Sequence, residues 1–170
     1  MTDELPSKAV SASQVVLSRQ MEIPDANLAG NVHGGTIMKM VDTAAGLAAA
    51  KHCGGLAVTA AMDEMSFLEP VYVGDVVTVK AMVNEAFGTS MELGVRVEAE
   101  TIGTGRHVHT SSAYLVFVAL DPHGRPRPVP PAVAETAEER QRQTEAGLRR
   151  TARLQRKHAI EEARGGRGET

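Results

Sequence analysis

One long stretch of the sequence repeats its apolar residues at the spacing of an α-helix. The repeating residues form one stripe along the predicted helix: Ile37, Met40, Val41, Ala44, Leu47 and Ala48. A basic pair at 51–52 and two glycines at 54–55 follow, as at many helix C-termini. The pattern predicts one helix from about residue 34 to residue 52. Most of its side chains between 44 and 50 are small, so the helix could lie close against a sheet.

Five other segments have patterns typical of β-strands, at residues 14–21, 56–67, 76–87, 90–100 and 107–120. The segment 90–100 alternates most regularly, with Met91 and Leu93 on one face and Glu92 and Arg96 on the other. The last segment is apolar on both faces, as a central strand would be. Short turns between consecutive strands indicate antiparallel pairing, so we predict an α+β fold. An open sheet covered by one helix has exposed edges, which favours oligomerisation.

The two ends of the chain differ from this central pattern. Residues 1–13 are small and polar and residues 164–170 are rich in glycine and charge, and both predict flexible termini. Residues 132–163 follow a proline-rich segment and predict a charged helical extension of one helix or two, packed lightly on the domain or on a neighbouring subunit. Its basic residues could contact phosphates, but a solvated helical face is favoured: Arg149, Arg150, Arg153, Arg156 and Lys157. Truncation after Pro131 is therefore predicted to leave a folded core.

Composition and charge exclude some classes of protein. The formal net charge of -3 argues against a general nucleic-acid-binding protein, which needs a basic surface. No apolar run has the length of a signal peptide or a membrane span, so we expect no membrane association. The single cysteine, Cys53, allows no intrachain disulfide, which fits a reducing cytoplasm. His107 and His109 share a strand face, but without a third ligand no metal site is predicted.

The predicted helix carries the main candidates for chemistry. Asp42 lies among apolar neighbours, where a carboxylate suits general-base chemistry; a solvated pair with Lys39 is the alternative. Backbone N–H groups at Gly34 and Gly35 would be free at the helix start and could receive a carbonyl oxygen. The alternative there is a simple turn into the helix. Asn27, in the preceding loop, offers an amide donor and acceptor, although a lone asparagine is usually a turn residue.

Several short blocks of sequence, in order, resemble acyl-CoA thioesterases of the hotdog fold. The blocks are NLAGNVHGG at 27–35, MKMVD at 38–42, TA at 59–60, FLEPV at 67–71, GD at 74–75, GTSME at 88–92 and FVALD at 117–121. The resemblance covers residues 14–131, the expected hotdog domain. The proline-rich exit and the charged C-terminal segment are similar to the cytosolic acyl-CoA hydrolase branch of that family.

The resemblance implies a long central helix wrapped by an antiparallel sheet, with a C-terminal helical extension. It implies hydrolysis of a fatty acyl-CoA thioester to a free fatty acid and CoA, without a cofactor. Asp42 would act as general base or nucleophile, and Asn27 would orient the thioester or water. Gly34 or Gly35 would polarise the carbonyl, and the substrate contacts would include His33, Thr89 and Ser90.

The implied assembly is a homo-oligomer with a dimer as its smallest unit, often a trimer of dimers. In such a dimer each site is expected to take Asn27 from one subunit and Asp42 from the other. Two other functions remain open at the level of sequence. One is a hotdog dehydratase or hydratase acting on acyl thioesters, with His33 as base. The other is a non-catalytic acyl-CoA-binding module, although the presence of Asp42 and Asn27 counts against it.

Overall fold

A computed structural model of the protein describes residues 5–165. Two α-helices, α1 (Gly34–Cys53) and α2 (Ala137–Gly165), accompany seven strands. The strands are β1 (Lys8–Ala9), β2 (Val15–Gln20), β3 (Ala57–Phe67), β4 (Val76–Phe87), β5 (Ser90–Thr101), β6 (Arg106–Ala119) and β7 (Ala132–Val133). Two short 3₁₀ helices occupy Val10–Ser13 and Ile23–Asp25. In this part of the chain, neither α-helix combines the length and apolar character needed to cross a membrane.

Five strands form one antiparallel sheet in the order β2-β4-β5-β6-β3. Helix α1 lies against one face of this sheet, which we call the inner face. Its contact residues are small and fully buried: Ala44, Ala45, Ala48 and Ala49. The α+β prediction is therefore confirmed, and β6 is an interior strand as its two apolar faces indicated.

Both ends of α1 follow from local sequence signals. His33 is the N-cap residue, and its Nδ1 accepts a hydrogen bond from the Gly35 N–H at 2.9 Å. Gly54 ends the helix with a φ of 67° and donates its N–H to the Ala50 carbonyl at 2.9 Å. A left-handed residue at this position is best filled by glycine, which has no Cβ to clash.

Strand β3 stands at one end of the sheet, and in the described residues its second edge is unpaired. Its pairing with β6 shifts register twice, between Thr59 and Ala61 and between Met62 and Glu64. These irregularities explain the imperfect alternation of the sequence there, because each extra residue changes which side chains face the helix. We call this unpaired side of β3 the open edge.

The prediction that residues 1–13 are flexible is wrong for residues 8–13. Strand β1 pairs in parallel with β7, and Val10 and Ser13 are each only 1% exposed. The Ser13 hydroxyl accepts a hydrogen bond from the Val83 N–H at 2.9 Å and donates one to the Val10 carbonyl at 2.6 Å. These contacts connect the start of the domain to β4. Residues 1–4 lie outside the described part.

The C-terminal extension is a single helix, and it begins later than predicted because Ala132–Val133 form β7. Thr136 and Glu139 form a capping box: the Glu139 N–H donates to the Thr136 hydroxyl, and the Glu139 carboxylate accepts from the Thr136 N–H. Backbone donors at Thr136 and Glu135 lower the pKa of Glu139. At the other end, Arg164 is helical where a flexible tail was predicted, and residues 166–170 lie outside the description.

Helix α2 packs on the outer face of the sheet, the face opposite α1, so its interpretation as a solvated helix is wrong for its first half. Ala146 is fully buried. The Arg149 guanidinium binds both carboxylate oxygens of Glu92, with Nη2 to Oε1 at 2.7 Å, and stacks 3.6 Å from the Tyr114 ring centroid. Arg153 pairs with Asp63 on β3. The arginines therefore contact buried partners on the sheet.

Candidate functional site

The start of α1 offers one free backbone donor, where the sequence predicted two. The Gly35 N–H is already bonded to Nδ1 of the N-cap His33. No acceptor for the Gly34 N–H occurs among the described residues. Gly34 also lies close to the Phe67 ring, because a Cβ added there would meet Phe67 Cζ at 3.4 Å. Gly34 is therefore the position at which a carbonyl oxygen could be received at the helix N-terminus.

Asn27 is a turn residue whose amide nitrogen is not used by the turn. Its Oδ1 accepts hydrogen bonds from the N–H groups of Ala29, at 2.8 Å, and Asn31, at 3.2 Å. These bonds shape a tight loop in which Gly30 has a φ of 85°. The Nδ2 group makes no hydrogen bond within the described residues, so it remains available as a donor.

Asn27 and Gly34 line the same cavity, whose volume is about 340 Å³. Its walls are otherwise largely apolar and include Ile37, Phe67 and Leu68. A cavity with apolar walls and a few convergent donors is typical of a small-molecule site. The structure thus brings two of the predicted residues together in one chain.

Asp42 lies outside this cavity and is exposed. It follows Gly34 by eight residues, which is about 12 Å along the helix axis at ~1.5 Å per residue. Its Oδ1 accepts a hydrogen bond of 2.6 Å from the Thr59 hydroxyl on β3. The alternative pairing with Lys39 is not seen among the ion pairs of the described residues. Asp42 therefore stands beside the open edge, fixed by a strand residue.

Thr59 also contributes to this arrangement, although the sequence analysis assigned it no role. It appeared only within the short TA block at 59–60. Nothing in the spacing of the two residues shows that a hydroxyl on a strand reaches a carboxylate 17 positions earlier. Their contact depends on how α1 is laid across the inner face.

Thr89 and Ser90 lie at the opposite end of the sheet from Asn27 and Gly34. Thr89 lies in the turn between β4 and β5, and Ser90 is the first residue of β5; Ser90 pairs with Val118, and Val118 pairs with Val58. Thr59 follows directly after Val58, so these turn residues are on the Asp42 side of the molecule. Within one chain, the predicted site residues therefore fall into two separate groups.

His52, His109 and Cys53 make structural contacts within the domain. His52 is buried, which lowers its pKa, and its Nε2 lies 2.9 Å from the Pro130 carbonyl oxygen. His109 contacts the Ser111 carbonyl through Nε2 at 2.9 Å. Cys53 is buried in the core. No group of three potential metal ligands occurs in residues 5–165.

One acidic residue of the outer face, Glu98, has a strongly perturbed pKa. It accepts hydrogen bonds from Lys80 Nζ at 2.6 Å and Arg96 Nε at 2.7 Å. These two cations lower the pKa of Glu98 from 4.5 to about 2. His107 Nε2 also approaches this carboxylate, at 3.6 Å. The cluster is an ion-pair network on the sheet, away from the cavity.

The family is decided by comparison with known proteins. A sequence profile described as the thioesterase superfamily matches residues 29–106. An acyl-CoA thioester hydrolase of Bacillus subtilis, YkhA, is 39% identical over 127 residues, which are 75% of this chain and 74% of that protein. The chain belongs to the thioesterase superfamily. Its hotdog fold, predicted from the resemblance, is thereby confirmed.

Other members of the superfamily are similar over most of this chain. The cytosolic acyl coenzyme A thioester hydrolase of mouse is 36% identical over 135 residues, 78% of this chain. Those residues span only 35% of the mouse protein's length.

Two solved structures of the superfamily resemble the fold closely. An acyl-CoA hydrolase of Staphylococcus aureus, solved with butyryl coenzyme A and coenzyme A, has a TM-score of 0.85 at 34% identity. The superposition covers 93% of this chain and 96% of that chain. An apo-hexameric acyl-CoA thioesterase has a TM-score of 0.87 at 34% identity, with 89% and 97% covered.

Proposed function

We propose that this thioesterase-superfamily protein hydrolyses fatty acyl-CoA thioesters to a free fatty acid and CoA, at sites built from two chains. The observation that carries the proposal is the separation of Gly34 and Asp42 on one helix. Similar proteins are named as acyl-CoA thioester hydrolases, and one is solved with acyl-CoA and CoA bound.

A single chain cannot bring the helix-start donor and the carboxylate to one carbonyl. The Gly34 N–H points out of the helix start, away from Asp42, which lies about 12 Å further along the axis. A carboxylate must approach the attacked carbon to about 3 Å, or to about 6 Å with one water between them. The two groups therefore act together only if they come from different chains.

The open edge provides the way in which two chains could meet. Among the described residues, strand β3 has an unpaired row of backbone groups, and β3 and the neighbouring side of α1 carry exposed apolar side chains: Met38, Val58 and Phe67. Pairing β3 with β3 of a second copy would continue the sheet and cover these side chains. Antiparallel pairing runs the two strands in opposite directions. It therefore directs the Gly34 end of one chain toward the Asp42 end of the other.

In this arrangement each group has a distinct role. The Gly34 N–H and the Asn27 Nδ2 group of one chain receive the thioester carbonyl oxygen and stabilise its developing negative charge. As a general base, Asp42 of the other chain takes a proton from the attacking water and passes it to the CoA thiolate when the C–S bond breaks. As a nucleophile, it instead forms a mixed anhydride as the CoA thiolate leaves, and water then hydrolyses the anhydride to the free acid and restores Asp42. Thr59 holds one oxygen of Asp42 and leaves the other free.

Relatives support the choice of residue types and the assembly. Solved variants of the S. aureus hydrolase replace one aspartate, one asparagine and one threonine by alanine, the residue types of Asp42, Asn27 and Thr59. A similar thioesterase is hexameric, which fits a trimer of edge-to-edge dimers. A cytosolic relative fits a cytoplasmic location. We assign contacts with the CoA portion to Thr89 and Ser90, on the Asp42 side of the sheet, and a further substrate contact to His33, at the Gly34 side.

Mixing two inactive variants tests the shared site. Asn27→Ala and Asp42→Ala subunits, unfolded and refolded together, form half mixed dimers, each with one intact and one doubly defective site. Thiol release from acyl-CoA should therefore recover to about a quarter of the wild-type rate. Each variant refolded alone is the control and should stay inactive. No recovery, with mixed dimers confirmed by mass, would rule out a site shared between chains.

A second test addresses Asp42 directly. Asp42→Asn should retain the fold and substrate binding but lower turnover by about 100-fold or more, as expected for loss of a general base. Turnover close to that of the wild type would contradict the assignment of Asp42, whatever the outcome of subunit mixing.

The hydrogen bond at the helix start argues against the dehydratase alternative. A neutral imidazole has one acceptor nitrogen, and in His33 this is Nδ1, which is already bonded to the Gly35 N–H. Its Nε2 then carries the proton and has no lone pair with which to act as base. Assays with enoyl-CoA and acyl-CoA would distinguish hydration from hydrolysis, and the absence of both activities would favour a binding module.

A further inference from the structure

Helix α2 crosses the outer face of the sheet from one side toward the open edge. Its first part contacts β4. Arg149 then reaches Glu92 on β5 and stacks on Tyr114 of β6. Arg153 pairs with Asp63 on β3, the last strand before the open edge. The order of these contacts follows the order of the strands, so α2 leaves the sheet at β3.

The helix continues well past its last contact with the sheet. Residues 154–165, which we call the overhang, add 12 helical residues, or about 18 Å at ~1.5 Å per residue. Every side chain from 154 to 164 is exposed, in contrast to the first half of the helix. Neighbouring strands are about 4.8 Å apart, so the overhang is long enough to cover roughly three further strands.

The face that α2 presents to its own sheet extends into the overhang. Arg149, Arg153, Arg156 and Ile160 are spaced by four, three and four residues, and therefore share one helical face. The first two of these contact the sheet. The same face then carries a basic residue and an apolar residue, Ile160, which is 44% exposed. The residue pattern of the sheet-contacting face therefore continues beyond the edge of the sheet.

The β3 end of the outer face has the complementary charge. The Asp63 side chain is 9% exposed, and its Oδ1 is buried with no hydrogen-bond partner among the described residues. Glu64 is its exposed neighbour. Edge-to-edge pairing would bring both carboxylates of each chain near those of the other, where like charges repel. Arg153 and Arg156 of the two chains would supply four guanidinium groups against these four carboxylates.

We propose that the overhang docks on the outer face of a second copy of this chain, across the open edge, with Ile160 and Arg156 facing the second copy's β3 and β6. The inference rests on the edge-to-edge dimer of the proposed function. Two-fold symmetry makes the contact reciprocal, so each subunit is held by its partner's C-terminal helix. The overhang thereby becomes part of the dimer interface.

Photo-crosslinking of the full chain tests the contact. A benzophenone amino acid replaces Ile160 in one variant and His158 in the other; His158 lies on the opposite face of the helix, two residues away. Irradiation should give covalent dimers with the probe at 160 and few or none with the probe at 158. Peptide mass spectrometry should place the crosslink on the outer-face residues of β3 or β6.

Sedimentation and thiol release on the same samples separate this inference from the proposed function. A protein that is dimeric and active but forms no covalent dimer would overturn the overhang contact alone. Crosslinks that are equal at both positions, or that lead to another surface, would also overturn it. A monomeric, inactive protein would instead remove the two-chain site and this contact together.

Charge reversal gives an independent measurement without a probe. Arg156→Glu should raise the dimer dissociation constant by about tenfold or more, since it sets a carboxylate against Asp63 and Glu64. Lys157→Glu is the matched control, because Lys157 lies about 100° around the helix and pairs with Glu161 of its own chain. Equal effects of the two substitutions would show that the overhang acts only through its net charge, which contradicts docking.

Discussion

Replacing Arg149 with methionine should destabilise the protein more than its place on a charged helix indicates. Glu92 is fully buried, and its carboxylate is bonded to Arg149 and to Asn84 Nδ2, at 3.1 Å. Methionine retains much of the apolar stem but leaves the buried carboxylate without its cation. Breaking a buried pair in this way costs about 3–5 kcal/mol. Loss of the stacking on Tyr114 adds roughly 0.5–1 kcal/mol.

Thermal and urea unfolding, followed by circular dichroism at one fixed protein concentration, would measure this loss. For a chain of this size, 1 kcal/mol corresponds to about 2–4 °C, so the melting temperature should fall by roughly 7–24 °C. The control is Arg140→Met, an exposed arginine of the same helix, which should change the free energy of unfolding by less than about 0.5 kcal/mol.

A double variant separates the ion pair from simple loss of packing. Glu92→Leu combined with Arg149→Met removes both charges and should recover most of the stability, because no unpaired charge remains buried. The reasoning would be refuted if Arg149→Met cost less than about 1 kcal/mol, or if the double variant were no more stable than the single one. The same contact reverses the expectation for truncation after Pro131, which should now lower stability by uncovering Glu92.

Three further predictions concern the site and the outer face. Thr59→Val should lower kcat by about tenfold with little change in KM, since Asp42 loses its positioning bond; an unchanged kcat would argue against that role. His33→Ala should lower the free energy of unfolding by about 1 kcal/mol, because it removes the hydrogen-bond acceptor of the Gly35 N–H. The rate of thiol release should stay within a few-fold of wild type. A loss of about 100-fold or more would restore His33 as a candidate base. The pKa of Glu98 is lowered to about 2 in the folded protein. Its contribution to the free energy of unfolding is therefore complete above about pH 5 and is lost as pH falls toward 2. Acid unfolding of Glu98→Gln should lack this loss of stability between about pH 5 and pH 2.

Local signals in the sequence were sufficient for most of the fold. The apolar period and the glycines around α1 predicted residues 34–52, and the helix spans Gly34–Cys53. The segment predicted at 76–87 coincides with β4. Such features depend on neighbouring residues, whose spacing is visible in the sequence. The pairing of β1 with β7 joins residues more than 120 positions apart through two residues each, and no local pattern reports it.

The errors at the C-terminal helix have a different cause. Hydrophobic patterning assigns charged residues to solvent, whereas Arg149 and Glu92 are buried because they satisfy each other. Two such residues, 57 positions apart, cannot be matched from sequence alone. Candidate residue types for a site can be identified in the sequence, but the contacts of those residues cannot. The bond that occupies the Gly35 N–H and the bond from Thr59 to Asp42 both required the folded structure.

The eight-residue interval between Gly34 and Asp42 has a consequence for how the activity would respond to dilution. When reacting groups of one site belong to different chains, a lone chain turns over no substrate. Well below the dimer dissociation constant, the concentration of dimers varies with the square of total protein, so the initial rate would rise quadratically. Above it, the rate would become proportional to protein. Any change in expression that crosses this threshold would alter thioester turnover more than it alters the amount of protein.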